Sequence, residues 1–110
     1  MNTAEKFIPL PSVDENGLLI NPDDWDEHIA VGIAYRIGIS QLTHDHWKVI
    51  NALRQHYYRF GVAPAMHNVC HRHGQDDAWV HQLFNTCLDA WRVAGLPDPG
   101  EEARAYLSDM

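Results

Sequence analysis

The sequence has few of the residues on which several classes of protein depend. It holds only two cysteines in 110 residues, too few for the multi-bridge framework of a small secreted domain. It has no run of the roughly 18 to 20 apolar residues that a membrane span needs, and polar residues follow Met1 where a signal peptide would be apolar. These absences predict one cytoplasmic domain with reduced thiols.

Basic residues are scarce as well. Eight Lys and Arg stand against fifteen Asp and Glu, which gives a net charge of −7 with histidines neutral. The basic residues are scattered along the sequence, and a negative field of this kind repels phosphate backbones. The composition therefore disfavours nucleic acid as the main partner, and no motif predicts a cofactor.

The apolar pattern predicts a mainly α protein that begins with a β-hairpin. Short apolar runs at 7–10 and 18–20 flank Asn16-Gly17, a pair that favours a type I′ turn. Three helices should follow: one that ends at Gly38, a long and central one from Thr43 to Gly61, and a short one between Pro64 and Gly74. The predicted core-facing residues are Ile29, Ala30, Ile33, Ala34, Ile37, Trp47, Ile50, Leu53, Tyr57, Phe60, Met66, Val69 and Cys70.

The last third of the sequence predicts one more helix and a tail. Apolar residues recur at steps of three and four from Trp79 to Ala94, which places them on one buried face. Gly95 should end this helix, and the two prolines at 97 and 99 cannot continue it. We therefore expect a single domain over 1–99 and a flexible acidic arm over 100–110, with too little apolar surface to join the core.

An ordered series of residues resembles the DsrC/TusE sulfur-carrier family, also called the gamma subunit of dissimilatory sulfite reductase. The series comprises Asp14-Glu15-Asn16-Gly17-Leu18-Leu19, Trp25, Gly38-Ile39, Leu42-Thr43, His46-Trp47, Val49-Ile50, Tyr57-Tyr58, Pro64, Leu83-Phe84, Ala94-Gly95-Leu96-Pro97 and Pro99. The resemblance implies a small orthogonal helical bundle with an N-terminal β-hairpin and a helix-turn-helix-like element. It also implies sulfur trafficking, in which a cysteine on a flexible C-terminal arm delivers a persulfide in sulfur respiration or tRNA thiolation.

The chain departs from this family at the residues that carry the chemistry. The family's motif places its terminal cysteine at Glu102 and its upstream cysteine eleven residues earlier, at Trp91. A carboxylate cannot form a persulfide, and an indole cannot resolve one. We therefore expect no catalytic residue, and a binding or regulatory paralogue that docks on sulfite reductase or sulfur-relay partners. Glu101, Glu102 and Asp109 of the arm would meet that partner.

Three alternatives remain open from the sequence. Cys70 or Cys87 could replace the missing cysteines of a sulfurtransferase, although both lie on apolar helix faces. His67, Cys70 and His71 share one helix face and could bind zinc, although a single short helix rarely makes a closed site. The helix-turn-helix resemblance also suggests a DNA-binding regulator, for which the segment 63–74 supplies few basic residues.

Overall fold

The computed structural model describes residues 10–109, and six helices account for most of them. They are α1 (Glu27–Arg36), α2 (His44–Phe60), α3 (Met66–Arg72), α4 (Trp79–Phe84), α5 (Cys87–Val93) and α6 (Glu101–Ser108), with a 3₁₀ turn at Pro22–Asp24 before α1. The predicted mainly α helical bundle is confirmed. Within the described range, every helix is too short or too polar to cross a membrane.

The predicted N-terminal hairpin is reduced to one antiparallel bridge, between Val13 and Leu19. The first apolar run, 7–10, lies outside the described residues except for its last member. Of the turn residues only Gly17 has a positive φ, so the predicted type I′ turn is wrong. The Asp14 carboxylate accepts hydrogen bonds from the amides of Asn16 and Leu18 and closes a wider three-residue loop instead.

Helix α2 begins and ends where its sequence predicts. The Thr43 side chain accepts from the backbone N–H of His46, and Gly61 ends the helix with φ 73°. His46 completes the cap, since its Nδ1 accepts the Thr43 N–H at 3.0 Å while Nε2 lies 2.9 Å from the Leu83 carbonyl. These bonds use Nδ1 of His46 as an acceptor and Nε2 as a donor, and they tie the start of α2 to α4.

The predicted continuous helix from Trp79 to Ala94 is wrong, because it divides into α4 and α5. Asn85 has φ 71°, and the Thr86 side chain caps α5 by accepting from the Asp89 amide at 3.0 Å. The apolar stripe still lies in the core on both sides of the break. Helix α5 packs against α1, α2, α4 and α6, so α5 rather than α2 is the central helix.

Most of the predicted core-facing residues lie in the core or pack against it. Phe60 does not, because it is the last residue of α2 and remains 58% exposed, where its ring contacts His56. The helical period therefore did not predict burial correctly at the end of the helix. There, the following Gly61 turns the chain away.

The segment predicted to be a flexible arm is helix α6, and the expectation that it adds nothing to the core is wrong. Leu107 is fully buried in the main apolar cluster. The Tyr106 hydroxyl accepts the first amide of α3, that of Met66, at 2.9 Å. At the other end of α6, the Asp98 carboxylate accepts from the Gly100 amide, which with the Arg104 side chain lowers the Asp98 pKa.

Leu107→Ala should lower the free energy of unfolding by about 3 kcal/mol, because the change removes a fully buried side chain and leaves a cavity. Ile20→Ala is the control, since Ile20 is 65% exposed and should cost less than about 1 kcal/mol. Urea denaturation followed by far-UV circular dichroism measures both. Equal losses would mean that α6 does not pack stably on the core in solution.

Candidate functional site

Two side chains that are distant in sequence hold the end of α5. Trp25 donates its Nε1–H to the Val93 carbonyl at 2.9 Å, and Arg54 donates to the Ala94 carbonyl at 2.7 Å. The Arg54 guanidinium also lies 3.8 Å from the centroid of the Trp25 ring. These carbonyls lie at a helix end, where no following turn supplies a donor. The two side chains therefore fix the point at which the chain leaves the core.

The chain turns out of α5 at Gly95, as predicted. Gly95 has φ 69°, and its amide donates to the Arg92 carbonyl at 3.0 Å. The Trp25 side chain lies directly against the Gly95 Cα, in the space that a Cβ would need. We call residues 94–100 the α5–α6 junction, since they set the direction in which α6 begins.

Trp91 lies beneath this junction and has no exposed surface. Its Nε1–H donates to the Pro97 carbonyl at 2.8 Å, and its ring meets Tyr57 edge to face at 5.8 Å between centroids. A fully buried indole has no access to a partner or a substrate. Trp91 is therefore a core residue that also anchors the junction.

Both cysteines of the chain are buried and reduced. Burial, with a smaller contribution from nearby Cys70, raises the pKa of Cys87 to about 12. The Cys70 thiol lies 3.9 Å from the Asp77 carbonyl oxygen and is 1% exposed. Since the thiolate is the nucleophile, neither residue offers the accessible thiol that a substitute carrier would need.

The alternative metal set of His67, Cys70 and His71 does not come together. Cys70 points into the core, while His67 and His71 lie on the exposed side of α3. Asp77 takes the place of the cysteine, with Oδ1 at 2.8 Å from His67 Nδ1 and 3.2 Å from His71 Nε2. Cys70 is separated from the two histidines because neighbouring positions on one helix turn can face opposite environments.

The three predicted partner-binding acids are all exposed on α6, but they do not form one cluster. Glu101 and Glu102 occupy its first turn, and Asp109 caps its other end. A helix rises 1.5 Å per residue, so the first and last acids are separated by roughly 12 Å along the axis. Glu101 and Glu102 also line an open cleft of about 840 Å³ between α6 and residues 62–65 of the α2–α3 linker.

A second depression, the α2–α3 groove, gathers positive charge that the sequence leaves scattered. It has a volume of about 520 Å³, and its lining includes Lys48, Arg59 and Arg72 together with His56 and His73. None of the described residues that line it is Asp or Glu. Three of the eight Lys and Arg of a chain with charge −7 therefore share one groove. Lys48 lies 3.7 Å from the Asp45 carboxylate, so Arg59 and Arg72 carry most of the charge that suits an acidic ligand or protein segment.

Sequence reasoning missed Arg54 and the long-range role of Tyr106. No pattern pairs Arg54 with Trp25, since the pairing forms only because α2 and the segment before α1 meet at the end of α5. The hydroxyl of an otherwise exposed tyrosine also gave no sign that it caps α3. Trp25 and Gly95 both belong to the series of residues that resembles the DsrC/TusE family. Their contact explains why a tryptophan at residue 25 requires a glycine at residue 95.

Comparison with protein families matches residues 10–101 to the model described as DsrC like protein. Trp91 lies inside this match, and Glu102 directly follows it. A sulfurtransferase TusE of Salmonella choleraesuis (strain SC-B67) is 32% identical over 97 residues, covering 80% of this chain and 88% of the relative. The gamma subunit of dissimilatory-type sulfite reductase of Nitratidesulfovibrio vulgaris is 34% identical over 89 residues, covering 79% and 85%.

Solved structures give the same relationship. The oxidized gamma subunit of dissimilatory sulfite reductase (DsrC) from Archaeoglobus fulgidus superposes with a TM-score of 0.73 at 32% identity, over 83% of this chain and 90% of that one. A chain of dissimilatory sulfite reductase I (DsrI) superposes with a TM-score of 0.77 at 29% identity, over 87% and 95%. The helical fold described above is thus the fold of these proteins.

Proposed function

The chain belongs to the DsrC/TusE family, and from that premise we propose that it is a non-catalytic binding or regulatory member of sulfur metabolism. It docks on sulfite reductase or on sulfur-relay proteins in the cytoplasm and carries no sulfur itself. By occupying a carrier's docking site, it limits the access of a true carrier to the partner enzyme.

The absence of an accessible thiol is the observation that carries this proposal. Both cysteines are buried, and the resemblance assigns the family's cysteine positions to Trp91 and Glu102. One of these is a fully buried core residue, and the other is an exposed carboxylate on α6. Persulfide transfer requires a thiolate that meets its donor and acceptor in solution. The chain therefore lacks the means of transfer while it keeps the fold.

Two charged surfaces support a docking role. The α2–α3 groove is positive, while the start of α6 is negative and lines a separate cleft. We assign the main contact to the groove, because it concentrates cations in an acidic protein and so favours an acidic segment of the partner. Glu101 and Glu102 would then lie at the partner's own cleft, the one that a carrier's arm enters. Their negative charge would discriminate between partners there.

The same groove is the one observation that favours the DNA-binding alternative. Helix α3 would be the recognition helix of that arrangement, and its only Lys or Arg is Arg72. A single cation on the helix gives little phosphate contact, and the net charge of −7 opposes it. The docking proposal accounts for the groove without this difficulty.

Competition with a true carrier tests the proposed function. The protein should displace the gamma subunit from its sulfite reductase, or a TusE carrier from its relay partner, in a fluorescence-anisotropy titration. Arg59→Glu should weaken this competition by about tenfold or more, because it places a like charge opposite an acidic partner. Arg36→Glu on α1 changes the net charge by the same amount but lies outside the groove. It should change the strength of the competition by less than about threefold.

The absence of competition by the unaltered protein on both partners would refute the docking proposal. An equal loss in the two variants would show that overall charge, rather than the groove, controls binding. An excess of duplex DNA should leave the titration unchanged. If DNA displaces the partner, the groove binds nucleic acid instead.

A further inference from the structure

Three polar side chains meet on the exposed side of α3, away from the surfaces assigned above. His67 and His71 are one helical turn apart, and their rings lie 3.9 Å apart between centroids. Asp77, from the loop after α3, places the same oxygen within 2.8 Å of His67 Nδ1 and 3.2 Å of His71 Nε2. We call these three residues the α3 histidine cluster.

The loop that carries Asp77 is held against α3 by several hydrogen bonds. The Gln75 amide donates to the Cys70 carbonyl at 3.0 Å, and the Cys70 thiol donates to the Asp77 carbonyl. The Asp76 side chain accepts the Ala78 amide at 3.0 Å. The backbone of Asp77 is thus fixed relative to the two histidines. Only side-chain torsions need to change when a ligand enters.

The distances between the ligand atoms of the three residues suit a small cation. One ligand atom from each residue lies within 4.8 Å of the others. A tetrahedral zinc ion with bonds of about 2.0 Å needs ligand atoms roughly 3.3 Å apart, and His71 Nε2 already lies 3.2 Å from the Asp77 oxygen. The exposed imidazole of His67 can adjust by rotation, since its side chain is 57% accessible.

Charge near the cluster also favours a cation. Arg72 is the adjacent basic residue on α3, and it lines the α2–α3 groove on another side of that helix. Asp76 adds a second carboxylate beside Asp77, and the chain as a whole carries −7.

We propose that His67, His71 and Asp77 form a site for a divalent transition-metal cation of the zinc type. The ligand atoms are Nδ1 of His67, Nε2 of His71 and Oδ1 of Asp77, with a water molecule at the fourth position. Two imidazoles and one carboxylate select zinc and related cations over magnesium or calcium, which prefer oxygen ligands. When the metal binds, each histidine holds its proton on the nitrogen that faces away from the ion.

Isothermal titration of the full-length, untagged protein with zinc chloride tests the site, and cobalt(II) serves as a spectroscopic probe. We expect one bound equivalent and visible absorption bands of tetrahedral cobalt. His67→Ala, His71→Ala and Asp77→Asn should each weaken binding by about tenfold or more, since loss of even an outer partner costs that much. His28→Ala and His44→Ala change exposed histidines in the first turns of α1 and α2 and should leave the affinity within about twofold.

Three results would overturn the proposal. The first is the absence of both zinc binding and tetrahedral cobalt bands. The second is an affinity that the His67 and Asp77 substitutions leave unchanged, or that falls equally in the two control variants. The third is a sulfur-to-cobalt charge-transfer band, which would place Cys70 in the metal set. Far-UV circular dichroism of each variant separates a lost ligand from a lost fold.

Discussion

Gly95→Ala is expected to lower the free energy of unfolding by at least about 3 kcal/mol, the size of effect that overpacking and backbone strain reach together. A Cβ on residue 95 would overlap the Cβ, Cγ and Cδ1 atoms of Trp25. Trp25 cannot withdraw freely, because its Nε1–H is bonded to Val93 and its ring lies beneath Arg54. The substitution therefore creates a steric clash between the α5–α6 junction and Trp25, the side chain that holds the junction in place.

Gly61→Ala provides the matched control for that result. Gly61 has φ 73°, close to the 69° of Gly95, but a Cβ there meets no atom within 4 Å. Only the left-handed backbone is then penalised, at about 1 kcal/mol. Urea denaturation of both variants measures the difference. Equal losses would assign the Gly95 effect to backbone strain alone and would contradict the close contact with Trp25.

The second large effect concerns sulfur loading. The unaltered protein should gain no sulfur from a low-molecular-weight persulfide donor, because Cys70 and Cys87 are buried and the Cys87 pKa is about 12. Glu102→Cys should gain one sulfur atom per chain. Its thiol would be exposed in the first turn of α6, where the helix N-terminus favours a thiolate. The thiolate that this substitution creates attacks the terminal sulfur of the donor persulfide. The S–S bond of the donor breaks, and the rest of the donor leaves as a thiolate.

Intact-protein mass spectrometry reads out this gain, and Ser108→Cys is its control. Residue 108 is also exposed but lies at the last turn of the same helix, where the dipole disfavours a thiolate. We expect Ser108→Cys to load more slowly. Stoichiometric sulfur on the unaltered protein, removed by Cys70→Ser or Cys87→Ser, would instead support an active sulfurtransferase. Equal loading by both variants would show that exposure alone decides.

Local chemistry in the sequence accounts for the parts of the fold that were predicted correctly. Thr43, Gly61 and Gly95 mark helix ends because capping depends on the residue and its nearest neighbours. The core side of α1, α2 and α3 followed from helical period in the same way. Each of these features needs information from only a few consecutive residues.

The incorrect predictions concern features that depend on contacts between segments distant in sequence. Thr86 lies within an unbroken apolar stripe, and only the packing of α4 against α5 shows that the helix restarts there. Leu107 looks isolated in an acidic tail, yet α6 folds back and buries it. The cluster that joins Asp77 to two histidines, and the groove that gathers Arg59 and Arg72, likewise depend on tertiary placement.

The burial of Trp91 makes the two proposed cysteine losses unequal in evolutionary terms. Glu102 is exposed, so a change to cysteine there removes nothing that the fold requires. Trp91 fills the core and bonds Pro97, so cysteine in its place would leave a large cavity and an unpaired carbonyl. A descendant lineage could regain the terminal cysteine in one substitution. Cysteine at residue 91 would also require repacking around Tyr57. The fold therefore accepts a one-cysteine carrier more readily than a two-cysteine carrier.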